Sequence, residues 1–418
     1  MTRRLTILYL FAATVAVLAS GAEASDGVDA WAFDGALRER ATLSTAVDFD
    51  ASNPDEGWFW TQRLSLNAEG PVTDTLSARF SLVSALQSGV DASPVNQNNL
   101  DFQEAYLDWQ IAGTGVRLGR QEVILGSQRL VGSREGTNVR RTWDGLRVSG
   151  DIGRWHWDAF GVRLVNVEPN GVLNDSSNSN RSLAGLYLSG PMDWTSLDVY
   201  YLYSRVKNRP TIEGTANQER HSLGVRVFGE ANNWFWNWEA IGQFGRHGSD
   251  DIEAWTLATN TGYRMDAPWS PEFMLSINVA SGDSDPTDGK LETFDALYPR
   301  GNYFSELALL GPANFYNLNP TLSLKPTEDV DVSLRVNWYW RLETSDGVYG
   351  PPGNLLRAPL GSDERFVNLA YSLSAAWRLN KTWRLTASLT HSRPQDFIQE
   401  TGVADITNFG EFSLIARF

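Results

Sequence analysis

The chain has 418 residues but no cysteine, four histidines and, among its 35 basic residues, only four lysines (Lys207, Lys290, Lys325 and Lys381). The missing cysteine excludes a disulfide framework and thiolate metal sites. The four histidines (His156, His221, His247 and His391) stand in no Ser/His/Asp arrangement. Without a nucleophile–base pair no enzymatic activity is expected. No Walker loop, zinc spacing or dinucleotide fingerprint occurs, so no cofactor is expected. Positive charge is scarce too: 50 acidic residues leave a formal net charge of −15. A chain this acidic lacks the basic face that nucleic acid requires. Beyond residue 19, no apolar run reaches the roughly 18–20 residues of a membrane-spanning helix.

What is present begins with a leader. Arg3 and Arg4 precede the short apolar stretch Leu5–Ala19, and "AEA" at 22–24 offers small residues for cleavage. Residues 1–24 therefore read as a secretory signal peptide, with the mature chain starting near Ser25. Their removal takes away two arginines and Glu23 and moves the net charge to −16. No linker or charge block divides 25–418, which reads as one domain.

That domain alternates almost everywhere with period two. In "VDVSLRVNWYWR", Val330, Val332, Leu334, Val336, Trp338 and Trp340 share one face, and Asp331, Ser333, Arg335, Asn337, Tyr339 and Arg341 the other. Such alternation is the strand signature. Eighteen segments of this kind run from 33–48 and 58–69 to 381–392 and 407–418. Most reach about 10–15 residues, long enough for a tilted membrane crossing and longer than the usual soluble strand. Trp155, Trp157, Trp234, Trp338, Trp340, Trp377 and Trp383 gather at segment ends, as interfacial girdles require. Short turns ("EGPVTD", "GDIG", "GPMDW", "LNK") follow even-numbered segments, and long ones (88–100, 125–142, 166–181, 282–315, 343–362, 393–406) follow most odd-numbered ones. The expected fold is all-β: a transmembrane antiparallel β-barrel of about eighteen strands, with short periplasmic turns and long extracellular loops. The last strand, "EFSLIARF", ends in Phe418 and resembles the sorting signal of bacterial outer-membrane barrels. That predicts an outer-membrane location, contact with its lipid and lipopolysaccharide, and handling by the barrel-assembly machinery.

Register assigns charges to the polar, lumen-facing side. The arginines expected there are Arg38, Arg40, Arg63, Arg79, Arg117, Arg147, Arg226, Arg264, Arg335, Arg341, Arg378, Arg384 and Arg417. The acids are Glu104, Asp108, Asp198, Glu239, Glu272, Asp331 and Glu411. Thirteen cations against seven anions, in a chain of opposite overall sign, point to a lumen that concentrates anions. Guanidinium suits that task because it stays charged and presents a planar fork to carboxylates. Inward arginines could also serve to brace the wall against inward acids. A further run, "LGRQEVILGSQRLVGSREGTNVRRTWDG" (118–145), adds Arg120, Arg129, Arg134, Arg140 and Arg141 in a long external loop, at the mouth or folded inward as a constriction. The register of Arg120 is ambiguous, since it shares parity with Leu118. The loop 282–315, rich in apolar and aromatic residues, is a second candidate constriction.

"RLGRQEVILGSQRLVG" followed by "RRTWDGLRV" resembles the alginate-export family of outer-membrane barrels. In order along the chain, "GLYLSG" (185–190), "QFGR" (243–246), "TGYR" (261–264), "ASGDSD" (280–285), "LYPRGNYF" (297–304) and "GPANFYNLNP" (311–320) fit it as well. The resemblance implies an eighteen-stranded barrel and an arginine-lined pore for polyanionic uronate chains, with Arg120, Arg129 and Arg141 carried by the matching motifs. The expected partner is therefore an anionic carbohydrate or organic acid. The alternatives are a general anion-selective porin for small organic acids, and a plugged barrel acting as an adhesin or structural protein. No metal is expected. Asp283, Asp285 and Asp288 in "SGDSDPTDG" are ligands of the type Ca²⁺ takes, but they lack the full EF-hand spacing.

Overall fold

The computed structural model describes residues 31–52 and 57–418; the leader 1–24 lies outside them. Eighteen long strands close into one barrel. They are β1 (Ala32–Thr45), β2 (Gly57–Thr73), β3 (Leu76–Ser88), β4 (Asn98–Ile111), β5 (Thr114–Gln121) and β6 (Trp143–Ile152). Next come β7 (Trp155–Asn166), β8 (Ser176–Pro191), β9 (Ser196–Thr211), β10 (Gly214–Ala231), β11 (Trp234–His247) and β12 (Asp250–Arg264). The last six are β13 (Glu272–Ala280), β14 (Phe315–Thr327), β15 (Val330–Trp340), β16 (Phe366–Arg378), β17 (Trp383–Pro394) and β18 (Thr407–Arg417). Each pairs antiparallel with its sequence neighbours, and β1 also pairs with β18, setting Arg40 opposite Ser413, so the sheet has no free edge.

The period-two pattern is what orients these strands. Leu334, Leu373, Leu389 and Phe412 point outward and are exposed, whereas Asn337, Tyr339, Ser388 and Ser413 on the same strands are buried inside. Exposed apolar side chains around the whole wall, from Trp58 and Leu107 to Leu257 and Trp377, form the belt that faces lipid. No helix among the described residues is long and apolar enough to cross a membrane; the strands make the crossing.

Turns at the end holding both termini are short, and long loops crowd the other end. Two external connections depart from that pattern: β9–β10 and β11–β12 turn in two residues, so their long strands project beyond the wall instead. The remaining external loops fold back into the barrel's outer half and pack a hydrophobic core there. Val123, Leu125, Leu130 and Val131 of one loop meet Phe294, Tyr298, Phe304 and Leu310 of another, against Trp143, Leu183, Leu202 and Tyr339 of the wall. Burying apolar loop surface stabilises by roughly 25 cal/mol per Å², which holds segments that would otherwise fray in water. The lumen is thus narrowed from the outside by packed loops.

Candidate functional site

The loop 122–142 spans the lumen because opposite walls hold it by charge-assisted bonds. On one side, Arg38 donates to the Thr137 carbonyl (2.8 Å) and Arg40 to the Gly136 carbonyl (2.6 Å). Asn138, fully buried, donates to the carbonyl of Gln62 (2.8 Å) in β2. Glu135 lies among Arg63, Arg38 (3.6 Å) and Arg140 (3.4 Å). On the far side, Arg129 pairs with Glu239 of β11 at 2.9 Å, and Glu239 also accepts from Ser127 and Tyr200, both at 2.6 Å.

The loop 281–314 packs on this strap. The two share a bridge between Val131 and Tyr298, and Trp143 meets the Tyr298 ring edge-on at 4.6 Å. Together they deliver cations without carboxylates. Arg141 donates to the carbonyls of Gly132 (3.0 Å), Tyr298 and Pro299 (3.1 Å), and its guanidinium lies over the Tyr298 ring. Burial, with the like charge of Arg134 beside it, pushes Arg141 down to about 9. Burial alone pushes Arg134 down to about 10. Guanidinium holds its proton through such perturbation. Both side chains therefore keep a positive charge that no carboxylate pairs with among the described residues.

Beneath the strap lies a cavity of about 160 Å³, lined in part by Arg129, Arg300, Tyr303, Asn237, Asn278 and Arg335. Arg335, on the inner face of β15, donates to the Phe304 carbonyl (2.8 Å). Neither Arg300 nor Arg335 has a carboxylate partner among the described residues, and burial lowers Arg300. Asn278, Asn317 and Asn337 bond in series across three strands (2.8 and 2.7 Å), a chain of amides on the inner wall beside Arg335. Cations beside amides and a phenol suit a solute carrying a carboxylate and hydroxyls.

The wall arginines differ. Arg147 is gripped at both ends by Asp158 (2.7 and 2.8 Å), and Arg79 bonds both Glu69 (2.6 Å) and Glu104 (2.8 Å). Arg226 pairs with Asp198 (2.7 Å) and lies over Phe228, 3.8 Å from the ring centre. Arg117 pairs with Asp108 (2.7 Å) and covers Tyr106; Gly119, at φ +131°, lies beside Tyr106, where a Cβ would collide with the Ala105 carbonyl. These side chains line the lumen, but neutralised. Arg264 (with Glu230 and Glu272) and Arg378 (with Asp329) sit half-exposed at the periplasmic rim.

Several expectations need correction. Arg120 is not at the pore mouth: it stands opposite Asp144 and on the outward face with Leu118, held by Asp144 (2.9 Å) and Asp101 (3.2 Å). Arg341 is not pore-lining either. It is fully buried between external loops, donating to the carbonyls of Glu364 (2.6 Å), Thr344 (2.8 Å), Asp346 (3.1 Å) and Ser362. Arg140 is matched by Glu122 at 2.8 Å. Asp283, Asp285 and Asp288 do not converge; each accepts from a backbone N–H nearby (Asp285, Thr287 and Lys290), and no group of three acids or histidines among the described residues could hold a metal. The wall acids Glu69 and Asp158 went uncounted in the sequence, so the thirteen-to-seven surplus is smaller on the strands and reappears on the loops. Arg300 also escaped notice, although "LYPRGNYF" sits in the loop whose apolar content signals inward packing.

The family model for alginate export matches residues 30–411. No curated protein sequence matches the chain. Among solved structures, Acinetobacter baumannii OccAB3 superposes with a TM-score of 0.65 at 10% identity, covering 93% of this chain and 99% of its own. Pseudomonas aeruginosa OccK2 (OpdF), solved in complex with glucuronate, gives 0.57 at 12% identity over 92% of this chain and 97% of its own. Pseudomonas aeruginosa OpdK, solved with vanillate, gives 0.61 at 9% identity over 93% and 98%.

Proposed function

The chain belongs to the alginate-export family of outer-membrane channels for anionic solutes, and on that premise we propose that it passes uronate-type sugar acids, as alginate-like oligosaccharides, through a constriction formed by Arg129, Arg134, Arg141, Arg300 and Arg335. The observation that carries this reading is the pair Arg300 and Arg335, which have no carboxylate within ion-pair distance among the described residues and line a cavity together with Asn237, Asn260, Asn278 and Asn319. The wall residues Arg79, Arg147 and Arg226, with Arg264 and Arg378 at the rim, then form a balanced conduit that neither traps nor repels the moving anion. Multi-site, moderate attraction is what conduction requires.

A second reading, passage of small organic acids, draws on the same cavity: loops pack the outer half of the lumen, which favours compact solutes over long chains. Planar-bilayer recordings under a salt gradient test both. A reversal potential of anion-selective sign, with current blocked by oligouronate more strongly than by a monocarboxylate of equal charge, supports the first. Equal block supports the second. A cation-selective potential defeats both.

A further inference from the structure

The outer wall carries a feature unrelated to conduction. Across eight strands one outward-facing register position is charged almost throughout. Arg120 on β5 lies opposite Asp144 on β6, which lies opposite Arg163 on β7 and then Ser182 on β8. The row continues through Arg205 on β9, Glu219 on β10, Arg246 on β11 and Asp251 on β12. Directly on its membrane side runs an aromatic row, Tyr203, His221 and Phe244, cross-strand neighbours whose rings lie 5.0 Å apart in sequence. Such a girdle marks where hydrocarbon ends. The charged row therefore stands at the level of the outer leaflet's head groups.

From β9 to β12 its pairs are loose, unlike the closer Arg120–Asp144 pair at 2.9 Å. Arg205–Glu219 is 3.5 Å and Arg246–Asp251 is 3.4 Å, with side chains 52–67% exposed. Exposed pairs of this kind contribute little and open readily. Arg163 and Lys207 are exposed with no ion pair among the described residues. From β7 to β12 the row holds three cations against two acids, with Lys207 one outward position beyond Arg205, in a chain that is acidic overall. On the opposite wall the same rim shows stacked Tyr316, Trp340 and Phe366 instead.

We propose that this row is a binding site for the phosphate groups of the outer leaflet's phosphorylated glycolipid, lipopolysaccharide. Arg163, Arg205 and Arg246 supply forks that match phosphate, and the aromatic row below packs on the acyl chains. A free phosphate would satisfy the cations alone; the lipid satisfies both rows.

The test uses the purified full-length protein in detergent and counts bound lipid by native mass spectrometry. The probes are lipopolysaccharide with both lipid A phosphates and the same lipid enzymatically dephosphorylated. Wild type should retain the phosphorylated form about tenfold better, and R163Q/R205Q/R246Q should lose that preference. R393Q, an exposed arginine on β17 of the opposite wall, should keep it. Equal retention of the two lipids by wild type, or undiminished preference in the triple variant, overturns the proposal. If the triple variant fails to fold, R163Q alone and the two-lipid comparison on wild type still decide. Bilayer selectivity of the triple variant should be unchanged, so loss of the lipid site and loss of the channel reading are separable.

Discussion

Arg147 and Arg141 belong to one lumen and do opposite things. Arg147 lies on a strand, and Asp158 occupies both arms of its fork. Arg141 lies on an inward loop and bonds only to carbonyls. A carbonyl orients a guanidinium without cancelling its charge, whereas a carboxylate does both. Carboxylate-paired arginines therefore brace a wide wall, and those bonded to neutral oxygens, Arg141 on its loop and Arg335 on its strand, set the potential. Counting cations says less about a pore than asking what each one is bonded to.

That contrast can be broken most severely at the constriction. R300E/R335E should turn the reversal potential from anion- to cation-selective. At an effective dielectric of about 20, a unit charge about 4 Å away acts on a passing ion by about 4 kcal/mol. An unchanged sign in the bilayer would transfer selectivity to the wall. Next in size, R38A/R40A should free the strap from β1, raising single-channel conductance and making loop 122–142 accessible to protease. It removes the bonds to Thr137 and Gly136, and leaving such buried carbonyls bare costs roughly 1–3 kcal/mol each.

A smaller effect is expected on the wall. D158N should strengthen anion selectivity by exposing the charge of Arg147, while R147Q/D158N should restore the wild-type reversal potential. If the single and double variants behave alike, the wall is not neutral by pairing. The smallest effect is a pH step. Burial pushes the Glu122 carboxyl up to about 7. Protonation below that pH removes the negative charge facing Arg140, so anion selectivity should rise as pH falls from about 8 to about 6. E122Q should flatten the titration. Because the folded state holds this proton more tightly than the unfolded chain, stability contributed by Glu122 declines as pH rises from the ordinary value of 4.5 to about 7.

The barrel was legible because each strand stands between lipid and lumen and so alternates apolar and polar side chains over the length of a membrane crossing: Val330–Trp340 shows it without interruption, and the same segment is β15. The site was legible only in part. Parity places Arg79, Arg226 and Arg335 on the inner face, but not which of them meets a carboxylate across a strand or a loop. Asp158 sits in a segment whose aromatics drew attention to the other face. Arg120 shares parity with Leu118, and its outward position follows from a register that only the pairing with β4 and β6 determines. Arg341 continues the alternation of β15 by one residue, yet the strand stops at Trp340 and the side chain turns into loop carbonyls.

The scarcity of lysine has a chemical consequence for durability. A reducing sugar acid carries an aldehyde in its open form, and amines condense with aldehydes to Schiff bases. Lys207 faces outward, Lys290 lies in an external loop beside Glu253, and Lys325 and Lys381 stand at the periplasmic rim. Along the constriction the cations are guanidinium groups, which stay protonated and lack a free amine. Under the proposed function, a sugar acid pausing there would be held by its charge and leave without a covalent adduct, so the passage would resist glycation by what it carries.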